Sequence, residues 1–185
     1  MSQESEKTVA TTVATIPFHW AVSILVALAL PLSFFLGKFN FPLWVCFIAW
    51  AEYFVFGAKP SAFKTILPSW LYGAVISALW LATAVAFDNF LSTFWATVLA
   101  NFIWVTILVY CMKWGGLQAG SLAVFGGFTM FLAVYFTESI PQVGPVTNAY
   151  WVVASACIWT IIMGYIGAFF GWFNLFITFP RKVAK

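Results

Sequence analysis

Charge is what this sequence has least of. Eight basic and five acidic side chains among 185 residues make up 7% of the chain, where a soluble domain carries roughly 25%. A water-facing globular surface and an ion pump are both excluded by that shortage. Histidine occurs once, as His19, and cysteine three times, as Cys46, Cys111 and Cys157, each alone within an apolar run. Without paired spacing, neither a disulfide framework nor a metal site can be read from them. The chain also lacks an HExxH helix, a phosphate-cradling glycine loop, paired carboxylates at helical spacing and a nucleophile with an evident base. No enzyme activity, cofactor or metal is therefore expected.

What the sequence has in excess is hydrophobic length, with 64% of its residues apolar. Six runs stand out, Pro17 to Leu36, Phe41 to Gly57, Phe63 to Phe87, Ser92 to Met112, Leu117 to Phe136 and Asn148 to Phe179. Each is close to or above the roughly 20 residues that cross a hydrocarbon core about 30 Å thick. Backbone amides in lipid must find partners within the chain, so runs of this length are expected as helices, not barrel strands. The expected fold is all-α, a polytopic membrane protein of six transmembrane helices. A polar tail over residues 1–16 precedes the membrane domain at 17–180, and a basic tail follows at 181–185.

The N-terminal tail, MSQESEKTVATTVATI, is mildly acidic and reads as a mobile cytoplasmic extension, not as the basic start of a secretory signal. Ala27-Leu28-Ala29 mimics a cleavage site but sits in a run too long for a signal core. If six spans alternate, seven of the eight basic residues fall on the side of the termini, including Lys59, Lys64, Lys113, Arg181, Lys182 and Lys185. Lys38, Asp88 and Glu138 fall on the other. The positive-inside bias then puts both termini in the cytoplasm. The C-terminal cluster reads as a topology anchor in preference to a nucleic-acid or anionic-lipid site.

The two halves share a pattern. FIAWAEYFVF from Phe47 overlays FGGFTMFLAV from Phe125 at an offset of 78 residues, matching Phe47 to Phe125, Trp50 to Phe128 and Tyr53 to Phe131. Trp80 overlays Trp159 at an offset of 79, and Trp20 overlays Trp95 at 75. Three spans per copy would make this a 3+3 inverted repeat, an architecture of transporters whose substrate sites lie between the halves. Chance overlap among 39 aromatic residues is the competing explanation. Small residues supply candidate packing surfaces: Gly164, Gly167 and Gly171 in the last span, Gly116 and Gly120 at the entry to the fifth, and Gly73 with Ser77 in the third. Pro31 and Pro68 lie inside spans, and Asn148 is placed to cap the last one.

Few polar side chains enter the apolar runs. Glu52 and Asn101 are the costly ones, while Ser77, Thr106, Thr129, Ser155 and Thr160 can bond back to their own helices. Intramembrane ionisable groups generally face a bundle interior or a wet cavity. Glu52 lies five residues before Gly57, about 7.5 Å of helix rise from that end of its span. Two readings stay open: a polar tether at the cytoplasmic rim, reached by water, Lys59 or Lys64, or a vestibule carboxylate that binds a solute. Trp50, Phe128, Thr129, Ser77 and Asn101 join Glu52 as candidates for a solute pathway, since stacked rings can line a narrow apolar pore.

The stretch AEYFVFG, Ala51 to Gly57, followed by the Lys59-Pro60-Ser61 turn, a small-residue helix and the glycine-rich segment Gly164 to Gly171, resembles the YcdZ-like bacterial inner-membrane proteins, a family grouped as a domain of unknown function. The resemblance implies a compact inner-membrane fold and assigns no substrate or catalytic residue. The function expected is a small-solute channel or facilitator for a neutral molecule such as urea, a short amide, ammonia or carbon dioxide. The alternative is a non-catalytic accessory subunit of a larger membrane complex. Expected partners are the lipid bilayer, the solute, and copies of the chain or other membrane subunits; nucleic acid is not among them.

Overall fold

Proline and glycine punctuate the chain into six α-helices. The computed structural model describes residues 11–141 and 148–183. The helices are α1 Phe18–Gly37, α2 Val45–Val55, α3 Phe63–Phe87, α4 Thr93–Cys111, α5 Ser121–Phe136 and α6 Ala149–Phe176. A 3-10 turn, Pro60–Ala62, leads into α3, with proline at the position where its missing N–H costs nothing. Pro31 and Pro68 sit within α1 and α3. Asn148 caps α6 as expected, its Oδ1 accepting from the Tyr150 amide at 2.9 Å.

Two of the six apolar runs form shorter helices than their length predicts. The run Phe41 to Gly57 yields only the 11 residues of α2, about 16 Å of rise against a hydrocarbon core of about 30 Å. Pro42 delays its start, its carbonyl taking the Val45 amide in a tight first turn, and Gly57 at φ 91 ends it. The run Leu117 to Phe136 gives α5 only from Ser121 onward: after the left-handed turn at Gly115 and Gly116, φ 63 and 79, residues 117–120 form successive tight turns, the Gly120 amide donating to the Leu117 carbonyl at 3.0 Å. The other four segments, α1, Pro60–Phe87, α4 and α6, are long and apolar enough to cross a membrane.

Close approaches between helices fix their directions. Gly120 meets Ser69 and Gly73 meets Val124, so α3 and α5 run the same way. Gly167 meets Cys46 and Gly171 meets Tyr53, so α2 and α6 are likewise parallel. Trp70 Nε1 donates to the Thr160 carbonyl at 3.0 Å and the Tyr165 hydroxyl to that of Leu67 at 3.1 Å, which makes α3 and α6 antiparallel. These four helices form the core. Outside it, α4 packs chiefly on α3, and α1 touches α6 with only Ala21 and Leu25 buried.

The first and last described segments meet. Strand β1, Thr11–Val13, pairs antiparallel with β2, Arg181–Val183, with Thr12 opposite Lys182. The Thr15 and Ile16 amides both donate to the Thr178 carbonyl, at 2.9 and 3.1 Å. This corrects the expectation of a free tail for residues 11–16; residues 1–10 and 184–185 of the two tails lie outside the described residues. At the opposite end Asn40 Nδ2 donates to the carbonyls of Glu138 and Ile140, tying the loop after α1 to the one after α5. Residues 142–147 of the Glu138 to Asn148 loop also lie outside the described residues.

Candidate functional site

Trp70 is the pivot of the core. It is fully buried on α3, its indole bonded to α6 and its backbone carbonyl facing Gly127 of α5. A Cβ on Gly164 would overlap the indole, and one on Gly127 would overlap the Trp70 carbonyl. Three helices therefore close on this residue only because α5 and α6 present glycine to it.

Glu52 enters the same junction from α2. Its carboxylate lies against Gly126, where a Cβ would overlap Oε1 and press on the Trp70 ring. The residue is 4% exposed, and Oε2 is buried with no hydrogen-bond partner among the described residues. Pairing with Lys59 or Lys64, one form of the tether, does not occur: both lysines are exposed and the described residues form no ion pair with Glu52. The reason is the left-handed turn at Gly57 and Ala58, φ 91 and 53, which carries the chain away from the buried face before Lys59. An ionised carboxylate held in this way would cost several kcal/mol.

Glu52 has polar neighbours along α2. Trp50 and Tyr53 are buried, and neither Trp50 Nε1 nor the Tyr53 hydroxyl has a partner among the described residues. One turn of α2 thus carries three buried polar groups with no hydrogen-bond partner among the described residues. On α6 the fully buried Asn174 has neither amide atom bonded to a described residue. Ser77, fully buried on α3, is unpartnered in the same sense.

The other pathway candidates scatter. Phe128 stacks on Trp80 at 5.7 Å and 4°, and Trp80 bonds the Thr97 carbonyl of α4 at 3.2 Å. Thr129 is exposed and donates to the Phe125 carbonyl of its own helix at 2.7 Å, so it lines no interior path. Asn101 is half-buried on α4, away from α2. Of the packing glycines, Gly73, Gly120, Gly164, Gly167 and Gly171 all meet another helix or its side chains. Gly116 does not: it is a turn residue at φ 79 facing open space, so its GxxxG spacing with Gly120 is not a helix contact.

Sequence reasoning missed Gly126, Gly127, Trp70 and Asn174. The adjacent glycines in the middle of an apolar run were a usable signal, since glycine is costly within a helix unless something needs the space. So was an asparagine inside the last apolar run.

The fold and these seams define a helical membrane protein whose core is closed by glycine contacts around one buried carboxylate. The chain belongs to the family of proteins of unknown function DUF1097, whose model matches residues 20–178. No curated protein and no solved structure matches it.

Proposed function

We propose that the chain is a six-span channel or facilitator for a small neutral solute in a bacterial inner membrane, with Glu52 facing the solute. The observation that carries this reading is the buried Glu52 carboxylate between α2, α3 and α5, unpartnered among the described residues. A carboxylate serving only as a tether would gain more by reaching Lys59 or Lys64. The YcdZ-like grouping within the family belongs to the same proposal.

A 3+3 inverted repeat belongs to the same proposal, and one pair of helix contacts supports it. Gly73 of α3 sits on the Val124 carbonyl of α5, and Gly167 of α6 sits on the Cys46 carbonyl of α2. Cys46 and Val124 are 78 residues apart, the offset at which the two short helices overlay in sequence. The matching offset for the long helices is then 94, from Gly73 to Gly167, and the overlay of Trp80 on Trp159 gives way to it. Trp80 stacks on α5, whereas Trp159 meets Phe41 edge-on at 4.7 Å.

Glu52→Gln tests the function. Glutamine keeps the shape and bonding capacity but cannot carry charge, so assembly stays intact. Solute flux into proteoliposomes is expected to change about fivefold to tenfold, the equivalent of one hydrogen bond of roughly 1–1.4 kcal/mol. Unchanged flux returns Glu52 to a structural role. Orientation is tested separately: in a background lacking Cys111 and Cys157, cysteine at Asn89 should react with an impermeant thiol reagent added to intact cells. Reaction at Lys185 instead would reverse the topology.

A second reading, an accessory subunit, draws on the opening beside α1. A cavity of about 270 Å³ lies between α1 and α2, lined by Phe18, Val22, Val26, Phe47, Trp50 and Phe54 among others. Copurification with an unrelated membrane chain in mild detergent would favour it.

A further inference from the structure

The stripe that seats α2 on α6 does not end in glycine. Gly164, Gly167, Gly171 and Asn174 recur at intervals of three and four on one face of α6, and all four are buried. Gly167 receives the Cys46 backbone and Gly171 the Tyr53 side chain. Because the helices are parallel, Asn174 continues the stripe toward the C-terminal end of α2. There a leucine would fill space and cost nothing in hydrogen bonds. Asparagine is instead a poor helix former, and its amide is inaccessible to bulk water and bonds no described residue. The Tyr53 side chain packs on Gly171, less than a turn from Asn174 along the stripe, and its hydroxyl is likewise buried and without a partner among the described residues, so the two do not bond each other.

Three buried polar atoms on two facing helices thus present one acceptor, the Asn174 carbonyl, one donor, its NH₂ group, and one group that does both. Each costs about 1–3 kcal/mol if left unsatisfied, and groups of this kind are generally bridged by a small molecule when they do not meet directly. We infer that the C-terminal half of the α2–α6 seam is a binding site for one small neutral molecule that both donates and accepts hydrogen bonds, held by Tyr53 and Asn174. Water and a one- or two-carbon amide share this chemistry. The inference rests on the channel reading for its choice of amide, and uses residues other than Glu52.

The test is thermal unfolding of the full chain in nanodiscs for Tyr53→Phe, Asn174→Leu and the double variant, with and without acetamide. If one molecule is shared, each single variant lowers Tm by about 2–4 °C per hydrogen bond lost, and the double variant falls no further than Asn174→Leu alone. A rise in the wild-type Tm with acetamide that the variants lack assigns the site to amides; the same non-additivity without that rise assigns it to water. Additive losses, or variants as stable as the parent or more so, overturn the inference, because genuinely unpaired groups are improved by apolar replacement. Should Asn174→Leu fail to fold, Tyr53→Phe decides alone, since it retains the ring that packs on Gly171: a lower Tm supports the site and an unchanged or higher one rejects it. Non-additivity with an inert Glu52→Gln would retain this site while removing the carboxylate from the solute path.

Discussion

Valine at Gly73 or Gly127 abolishes the folded protein. At both positions the added atoms meet backbone, the Val124 carbonyl and Phe128 amide for Gly73, and the Trp70 carbonyl and Ala74 amide for Gly127. A side chain in the way could rotate; a helical carbonyl cannot without breaking its own hydrogen bond. The only relief is to separate α3 from α5 along the whole contact, which also loosens Trp70 and the notch that holds Glu52. Overpacking a core costs about 1–3 kcal/mol where neighbours can yield, and here they cannot, so a loss above about 3 kcal/mol is expected. Alanine should already lower stability measurably. Gly37, at the end of α1, is the control: a Cβ there would have no other atom within 4 Å, and Gly37→Ala should leave Tm unchanged or slightly raised. A Gly73→Ala protein with the parent's Tm would show that the α3–α5 crossing yields more readily than its backbone contacts imply.

Trp70→Ala has an effect of similar size for the opposite reason. It removes the largest fully buried side chain from the junction of α3, α5 and α6, and such truncations cost about 3–5 kcal/mol through lost packing and the cavity left behind. Trp70→Phe separates the contributions, because it keeps a ring but loses the bond from Nε1 to the Thr160 carbonyl. It should cost about 1 kcal/mol for the bond plus the unfilled space. Both are measured by denaturant titration of the purified protein. If Trp70→Phe matched the parent and Trp70→Ala lost less than about 1 kcal/mol, Trp70 would not be the pivot of the core.

Hydrophobic length made the helices legible, and the long ones came within a few residues of their observed limits. Length could not foresee that α2 and α5 would fall short, because Pro42 and Gly57 act through turn geometry inside a segment that still reads as apolar, and Gly115 and Gly116 through the turn that precedes one. Facing was harder. The helices are apolar on nearly every side, so no polar stripe shows which residues turn inward. Glycine spacing revealed the α6 seam at Gly164, Gly167 and Gly171, and misled at Gly116, where the same spacing spans a turn. The burial of Glu52 followed from the cost of its charge in lipid. Its separation from Lys59 and Lys64 did not, since that depends on two residues of left-handed backbone. The notch at Gly126 required knowing that α5 lies beside α2, a juxtaposition no local pattern encodes.

The pairing of β1 with β2 has a consequence in time. A ribosome makes Thr11 long before Val183, so this clasp cannot form until all six helices between them have been made. The same delay governs the interior. Helix α6 is the partner of α1, α2, α3 and α5, and it is made after all of them. Until it arrives, Cys46 and Tyr53 lack the glycines that receive them and the Trp70 indole lacks the Thr160 carbonyl. The nascent chain must therefore keep α2, the shortest of the described α-helices, waiting in or beside the membrane with Cys46 and Tyr53 uncovered on the α6 side of its seam. Chains released before Gly164 lack the glycines on which Trp70, Cys46 and Tyr53 pack, and they are expected to remain open and prone to aggregation.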